Sequence, residues 1–262
     1  MKISIEIGGR MVGADLSEPL DISRPLVPGD GSTNAYFAQP PNFTPVVSGN
    51  FIGKVTAGSP VNFMNVSFNP HGNGTHTECI GHILPQNENL SDEQNTINKR
   101  LQNFHFLCRV ISATPKTLTN GDEMISLNNI KQPFEKGEEN VDAIAIRTLP
   151  NDSSKISRKY SGTNPPYFHH SVLEWVAKQN ISHFLTDLPS VDREEDGGQI
   201  LAHRAFWQYP EKPHLNATIT EMIYIPNEIE DGFYLLNLQI ASFELDASPS
   251  KPVLFELKPE CG

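Results

Sequence analysis

HGNGTHTECIGH, residues 71–82, places three histidines and one glutamate within twelve positions of the chain. Glycine on either side of Asn73 lets the backbone turn tightly, because glycine adopts conformations that a side chain would forbid. If the residues after this turn are extended, the period of two puts four side chains on one face, those of His76, Glu78, Ile80 and His82. Neutral imidazole and carboxylate are ligands that suit zinc, manganese or iron. The stretch therefore indicates a metal or catalytic site, with a solvated histidine-rich loop as the alternative.

The length and the charge of the chain restrict the kind of protein. Its 262 residues are enough for one large domain with a full hydrophobic core, and no internal repeat or linker divides them. We therefore expect a single domain over residues 1–262. Acidic residues outnumber basic ones by 31 to 20, which gives a formal net charge of −11. This excess argues against a nucleic-acid partner, since phosphate contacts need a basic face.

The cysteines and the N-terminus bear on location. Cys79, Cys108 and Cys261 form no spaced pattern, so a disulfide framework is not expected and a reducing compartment fits best. The opening MKISIEIGGRMV lacks the apolar core of a secretion signal, and no run of eighteen apolar residues occurs. We expect a cytoplasmic protein without a membrane partner.

Short apolar runs and a few helical patterns indicate the fold class. The order strand–helix–strand between residues 141 and 187 is typical of an α/β core. Ser91 and Gln94 are spaced like a helix-capping box. The predicted helices cover 171–180 and about 199–207. The predicted strands cover 1–12, 61–68, 104–111, 141–148, 183–187, 218–225, 234–240 and 253–257.

A long irregular segment, residues 28–45, separates the first strand from the histidine-rich stretch. It contains the aromatic residues Tyr36, Phe37 and Phe43. One interpretation is a surface loop. The other is a lid whose aromatic side chains line a pocket, because long loops in compact domains are often functional.

Four polar residues downstream are further candidates. Glu221 lies within an otherwise apolar predicted strand, and burying a carboxylate is costly unless it is paired or binds a metal. Exposure on an edge strand is the alternative. His203 lies inside a predicted helix, where a histidine is more often a core or surface residue than a ligand. Asp187 and Asp192, in TDLPSVD, can either line a site or cap a turn.

Several segments together resemble one family. HGNGTH-x-E-x-x-x-H resembles the metal-binding signature H-x-G-T-H-x-D-x-P-x-H of the cyclase family, which includes bacterial kynurenine formamidases and isatin hydrolases. Other segments resemble that family in the same order along nearly the whole chain. They are DISRPL and PGD within 21–30, AIAIRT at 143–148, TDLPSVD at 186–192, LAHRAFW at 201–207, TEM at 220–222 and DASPSKPVLF at 246–255.

This resemblance implies a fold and a set of site residues. The fold would be an α/β domain with a barrel-like mixed β-sheet flanked by helices, of the swivelling β/β/α type, assembled as a dimer or tetramer. His71 and His76 would bind the first metal, and Glu78 stands where the family has an aspartate that binds this metal. His82 stands at the position of a proton-transfer histidine. His203 and Glu221 stand where the family has bridging or second-metal ligands.

The chain departs from the family signature in three places. His71 precedes His76 by five residues rather than four. Glu78 is one methylene longer than aspartate. Cys79-Ile80-Gly81 replaces the usual Ala-Pro-x segment and so removes a rigid proline. These departures weaken the inference of two metals and of the family's usual substrate, so that one ion or none per chain stays an alternative.

The resemblance implies a metal-dependent hydrolase that acts on a small amide, formamide or cyclic amide, and so on C–N bonds other than peptide bonds. A divalent metal, zinc or manganese, would activate a water for attack on the carbonyl, with His82 as proton donor or acceptor. The alternatives are a divergent member that only binds a small molecule or metal, a lactone or ester hydrolase, and a dehydratase. Cys79 could also be a nucleophile, a soft metal ligand or a core residue.

Overall fold

The computed structural model describes residues 1–85, 95–134 and 140–259. The predicted capping box at Ser91 and Gln94 lies outside these residues, as does Cys261. Four α-helices are described: α1 (Ile97–Arg100), α2 (Leu127–Phe134), α3 (His170–Lys178) and α4 (Leu201–Phe206). The described strands are β1 (Lys2–Ile7), β2 (Arg10–Asp15), β3 (Leu20–Asp21), β4 (Asn42–Pro45), β5 (Val47–Ser48), β6 (Phe51–Ile52), β7 (Met64–Ser67), β8 (His76–Cys79), β9 (His105–Ala113), β10 (Lys116–Thr117), β11 (Glu123–Ile125), β12 (Ala143–Thr148), β13 (Tyr167–Phe168), β14 (His183–Thr186), β15 (Thr218–Glu221), β16 (Gly232–Ile240), β17 (Ala247–Glu256) and β18 (Lys258–Pro259).

Seven of these strands close into a mixed β-barrel. Their order around the barrel is β16, β9, β12, β14, β15, β8 and β17, and the pairing of β17 with β16 closes the circle. Strands β9, β12, β14 and β15 are parallel to their neighbours in this series, whereas the pairs that involve β8, β16 and β17 are antiparallel. The predicted α/β fold with a barrel-like mixed sheet and flanking helices is thus confirmed.

Strand β12 shows why the barrel wall is apolar on both faces. Ile144 and Ile146 pack with Val172 and Val176 of α3 in a core between the wall and the helices. Their neighbours Ala143 and Ala145 belong to a second core, which alternate residues of the barrel strands build inside the barrel. A continuous apolar run is therefore required here, because each face of the strand is covered. Each fully buried isoleucine contributes about 1.5–3 kcal/mol to folding.

The structure corrects several predicted boundaries. The expected strand at 1–12 is a hairpin of β1 and β2, which turns at Gly8 and Gly9 with φ of 56° and 77°. The segment 28–45 is not wholly irregular, since β4 pairs with β7. The strand predicted at 218–225 ends at Glu221, because Met222 is left-handed with φ of 54°. Helix α2 was not predicted, and Pro133 inside it argues against a helix from sequence alone.

No described helix is long and apolar enough to cross a membrane.

Candidate metal centre

Strand β8 carries the central part of the histidine-rich stretch into the barrel wall. It pairs with β15, with His76 opposite Glu221 and Glu78 opposite Ile219. Because paired residues point to the same side of a sheet, His76 and Glu78 face outward with Ile219, toward the helices. Thr77 and Cys79 point the other way, and Cys79 packs in the core inside the barrel. The site therefore lies between the barrel wall and helix α4.

The extended stretch ends sooner than the sequence pattern suggested. A single 3-10 turn, Ile80–Ile83, follows β8 directly, so the expectation of one extended face through His82 is wrong. Gly81 lies in this turn, where a Cβ would lie 2.1 Å from the backbone oxygen of Asn95, so a larger residue does not fit. The turn nevertheless returns His82 to the site, where its Nε2 lies 3.8 Å from Oε2 of Glu78.

His76 is fully buried and oriented by the glycine turn before it. Its Nδ1 donates to the backbone oxygen of Gly74 at 3.0 Å, which leaves Nε2 as the nitrogen that can bind a cation. Nε2 lies 3.5 Å from Oε2 of Glu221 and has no hydrogen-bond partner among the described residues.

Glu78 lies at the centre of the cluster. His203 donates from Nε2 to its Oε1 at 3.0 Å. Its other oxygen, Oε2, is buried without a hydrogen bond from the described part of the chain, although Nδ1 of His71 lies 3.2 Å away. His71 thus reaches the centre in spite of the extra residue in the Gly-Asn-Gly turn. Ligand atoms of His71, His76 and Glu78 all lie within 4.8 Å of one another, and so do those of Glu78, His82 and His203.

Two aspartates orient the histidines from outside. Asp192 accepts from Nδ1 of His203 at 2.6 Å and also from the backbone N–H of Ala202 at 2.7 Å, so it fixes both the ring and the start of α4. One oxygen of Asp246, Oδ2, accepts from Nε2 of His71 at 2.9 Å and from Nδ1 of His82 at 3.0 Å. These hydrogen bonds determine which nitrogen of each ring faces Glu78.

The charges of the cluster compensate one another. Burial alone would raise the pKa of Glu78, but the charge of His82, the hydrogen bond from His203 and the nearby imidazole of His71 hold this pKa well below its ordinary value. Burial opposes a charged His71, yet its hydrogen bond to Asp246 and its close contact with the carboxylate of Glu78 raise its pKa to about 10. Contacts with Asp192 and Glu78 likewise raise the pKa of His203 against burial. A bound cation would take the place of these protons.

These features fit a divalent metal ion. A buried nitrogen and a buried oxygen that have no hydrogen-bond partner in the described part of the chain point into one cluster, and a buried polar atom left unpaired is costly. The donor set of imidazoles and carboxylates is the one that divalent transition metals prefer.

The five predicted metal ligands and the predicted proton carrier come together at this centre. His71, His76, Glu78, His203 and Glu221 surround the cluster and His82 lies at its exposed side, with about one third of its side chain accessible. Their individual roles as ligands or proton carrier stay predictions. Asp246 was missed as a site residue, although the segment DASPSKPVLF resembles the family. Of the two aspartates left open, Asp192 supports His203, whereas Asp187 lies in a separate buried pair with Lys155 at 2.8 Å.

Cys79 is a core residue. Its side chain is buried inside the barrel, and its thiol donates to the backbone oxygen of Asn95. Burial raises the pKa of this thiol to about 12. A neutral thiol on the far side of the strand from Glu78 argues against both a nucleophile and a soft metal ligand.

Fold and site together define a mixed β-barrel with a histidine–carboxylate centre outside its wall. Residues 14–193 match the model of the Cyclase family, and because this match spans more than half of the chain, the chain belongs to that family. No curated protein sequence matches the chain.

Solved structures share the fold. Isatin hydrolase A from Ralstonia solanacearum superimposes with a TM-score of 0.63 at 13% identity, covering 91% of this chain and 91% of that one. Isatin hydrolase A from Labrenzia aggregata superimposes with a TM-score of 0.60 at 14% identity, covering 91% of this chain and 93% of that one. A predicted metal-dependent hydrolase from Bacillus stearothermophilus superimposes with a TM-score of 0.60 at 14% identity, covering 91% of this chain and 98% of that one. At these identities the likeness shows the fold.

Proposed function

We propose that this chain is a metal-dependent hydrolase of a small amide, formamide or cyclic amide. The observation that carries the proposal is a pair of buried atoms, Nε2 of His76 and Oε2 of Glu78, to which no described residue gives a hydrogen bond and which lie in a cluster of imidazoles and carboxylates. Membership of the cyclase family supports it, as does a fold shared with isatin hydrolases.

The proposed ligands fall into two sets that share Glu78. His71, His76 and Glu78 would hold one ion, and Glu78, His203 and Glu221 would hold a second if two bind. Zinc and manganese both accept such nitrogen and oxygen ligands. A divalent ion at this centre would polarise a substrate carbonyl and lower the pKa of a bound water to near neutral.

His82 is the proposed proton carrier. Asp246 holds its Nδ1, so Nε2 faces Glu78 and the open side of the centre. From there Nε2 can accept a proton from the attacking water as the new C–O bond forms. It can then deliver that proton to the leaving nitrogen as the C–N bond breaks. Histidine suits both steps because its ordinary pKa lies close to neutral.

A hydrolysis assay tests this function. We expect the protein reconstituted with zinc or manganese to hydrolyse at least one member of a panel of aryl formamides, linear amides and cyclic imides. A chelator should abolish the activity and the metal should restore it. Turnover of lactones or esters alone would replace the proposal with the ester-hydrolase alternative. Water loss from a hydroxy acid would indicate a dehydratase. Retained metal without turnover of any compound would support a binding protein.

We further propose that the chain forms a homo-oligomer through the ribbon of residues 42–67. In this ribbon β4 pairs with β7 and β5 pairs with β6. It exposes large apolar side chains, among them Val47 at 66%, Phe63 at 57% and Val66 at 52%. Lys54 is its single charged residue. A two-stranded ribbon with apolar side chains exposed needs cover, and a nearly neutral surface lets two acidic copies approach.

Light scattering after size-exclusion chromatography tests the oligomer. We expect a mass of two or more chains, which Phe63→Asp should lower toward one. Leu215→Asp, at an exposed leucine outside the ribbon, is the matched control and should leave the mass unchanged. A wild-type protein that is monomeric at micromolar concentration would contradict this proposal.

We also propose a cytoplasmic location, which the buried free thiols of Cys79 and Cys108 support.

A further inference from the structure

Of the seven residues other than glycine that have left-handed backbone in the described part of the chain, four lie next to elements that carry the metal centre. Tyr36 and Phe37 are consecutive, with φ of 55° and 52°. Met222 follows Glu221 directly with φ of 54°, and Ile200 precedes α4 with φ of 44°. Residues with side chains pay an energetic cost for this conformation, and they keep it only where the surrounding structure holds them. Such residues concentrate at functional sites, and the Tyr36–Phe37 pair lies beside one.

The loop of residues 33–38 is anchored on the metal-binding stretch itself. Ala35 donates its N–H to the backbone oxygen of Gly72 at 2.9 Å. A Cβ on Gly72 would lie 2.4 Å from Cβ of Ala38, so only glycine permits this approach. On its other side, Asn34 donates to Arg158 at 3.1 Å and accepts from Tyr160 at 2.8 Å through backbone atoms. The loop therefore lies fixed between the Gly-Asn-Gly turn and the chain near residue 160.

Further contacts hold the left-handed pair. Phe37 donates its N–H to Oγ of Ser161 at 2.8 Å. Ala35 packs in a small buried cluster with Tyr160 and Met222, the residue after Glu221. The strained backbone is thus fastened to residues on both sides of the metal centre.

The Tyr36 hydroxyl lies next to the second set of proposed ligands. It donates to the backbone oxygen of Pro189 at 3.4 Å, a long hydrogen bond. Two residues further on, the N–H of Val191 donates to Oε1 of Glu221 at 3.1 Å. Burial chiefly, and then the negative charge of Glu221, raise the pKa of this phenol, so it remains a hydrogen-bond donor at neutral pH. The hydroxyl therefore has buried surroundings although the residue as a whole is 46% exposed, and Tyr36 stands between the centre and solvent.

We propose that Tyr36 is a substrate-binding residue, whose hydroxyl exchanges its long hydrogen bond to Pro189 for one to a polar oxygen of the substrate bound beside Glu221. The left-handed backbone serves to place this hydroxyl. A donor that starts from a weak bond loses little when it turns to a ligand, and such bonds tighten once the substrate is present. The assignment rests on the proposed hydrolase function and adds a residue outside the histidine-rich stretch.

Tyr36→Phe tests the assignment because it removes the hydroxyl and keeps the ring. We expect KM to rise about tenfold, as for one lost hydrogen bond, with kcat changed less and the metal content unchanged. Benzoate, a carboxylate that cannot be hydrolysed, should bind about tenfold more weakly to the metal-loaded variant in titration calorimetry. Tyr167→Phe removes a tyrosine hydroxyl from β13, outside the centre, and is the matched control.

The outcomes separate this inference from the proposed function. If no compound is turned over, the hydrolase proposal fails while benzoate affinity still reports on Tyr36. If wild type and Tyr36→Phe show the same KM and the same benzoate affinity, the assignment is overturned whatever the reaction proves to be. A loss of metal in Tyr36→Phe would also overturn it, because the residue would then support the centre rather than the substrate.

Discussion

Replacing His76 by alanine is expected to abolish tight metal binding and, with it, turnover. The ring is fully buried, Gly74 holds its Nδ1, and its Nε2 has no other partner among the described residues. Loss of an outer hydrogen-bond partner of a ligand already weakens metal binding about 10–100-fold. Removal of the ligand itself should cost more than roughly 100-fold in affinity, because a buried cavity replaces a nitrogen donor. Metal per chain, measured by elemental analysis after desalting, checks this result.

A control distinguishes ligand loss from unfolding. His183 is also a buried histidine, but it lies in β14 with its Nδ1 hydrogen-bonded to Thr218, away from the centre. His183→Asn should retain the metal of the wild type even if its thermal stability falls. If His76→Ala keeps its metal while its circular dichroism matches the wild type, His76 is not a ligand and the first ligand set is wrong.

Replacing His82 by alanine is expected to lower kcat by about 10²–10⁴-fold, the usual contribution of general acid–base catalysis, while most of the bound metal is retained. The two halves of this expectation have separate causes. His82 lies at the exposed side of the cluster, and its Nε2 is 3.8 Å from Glu78, farther than Nδ1 of His71 at 3.2 Å. Its side chain can therefore be removed by substitution without exposing the buried part of the centre. Steady-state kinetics and metal analysis on the same preparation check both halves.

Three results for His82→Ala would each lead elsewhere. Loss of the metal would make His82 a ligand, which the grouping of its nitrogen with those of Glu78 and His203 allows. An unchanged kcat would assign proton transfer to another group, and Glu221 would be the first to replace. A change in KM alone would place His82 in substrate binding.

Much of the centre could be predicted because its residues carry their chemistry in local sequence. Imidazoles and a carboxylate in twelve positions, and a carboxylate in the apolar strand that became β15, are informative without any structure. The register of β8 and β15 then places Glu221 opposite His76, as a shared site requires. Short apolar runs likewise predicted most barrel strands.

Asp246 could not be assigned in this way. Its hydrogen bond to His82 joins residues 164 positions apart, and nothing local distinguishes it from other acidic residues in turns. The closing pair of the barrel, β16 with β17, is also beyond periodicity, which gives the faces of strands but not their partners. Shortly after β8 ends at Cys79, Gly81 approaches the backbone of Asn95 closely, a contact that no strand pattern contains.

The metal content of the wild-type protein is the direct test of whether the histidine–carboxylate cluster binds a divalent metal ion. The protein should be reconstituted with zinc and, separately, with manganese, freed of loosely held ions and measured by native mass spectrometry. We expect one or two tightly held ions per chain. Two ions would indicate that the second ligand set is used, and one ion would indicate that it is not. If no ion is retained under either condition, the proposed metal centre is wrong, because the buried atoms of His76 and Glu78 would then bind no ion.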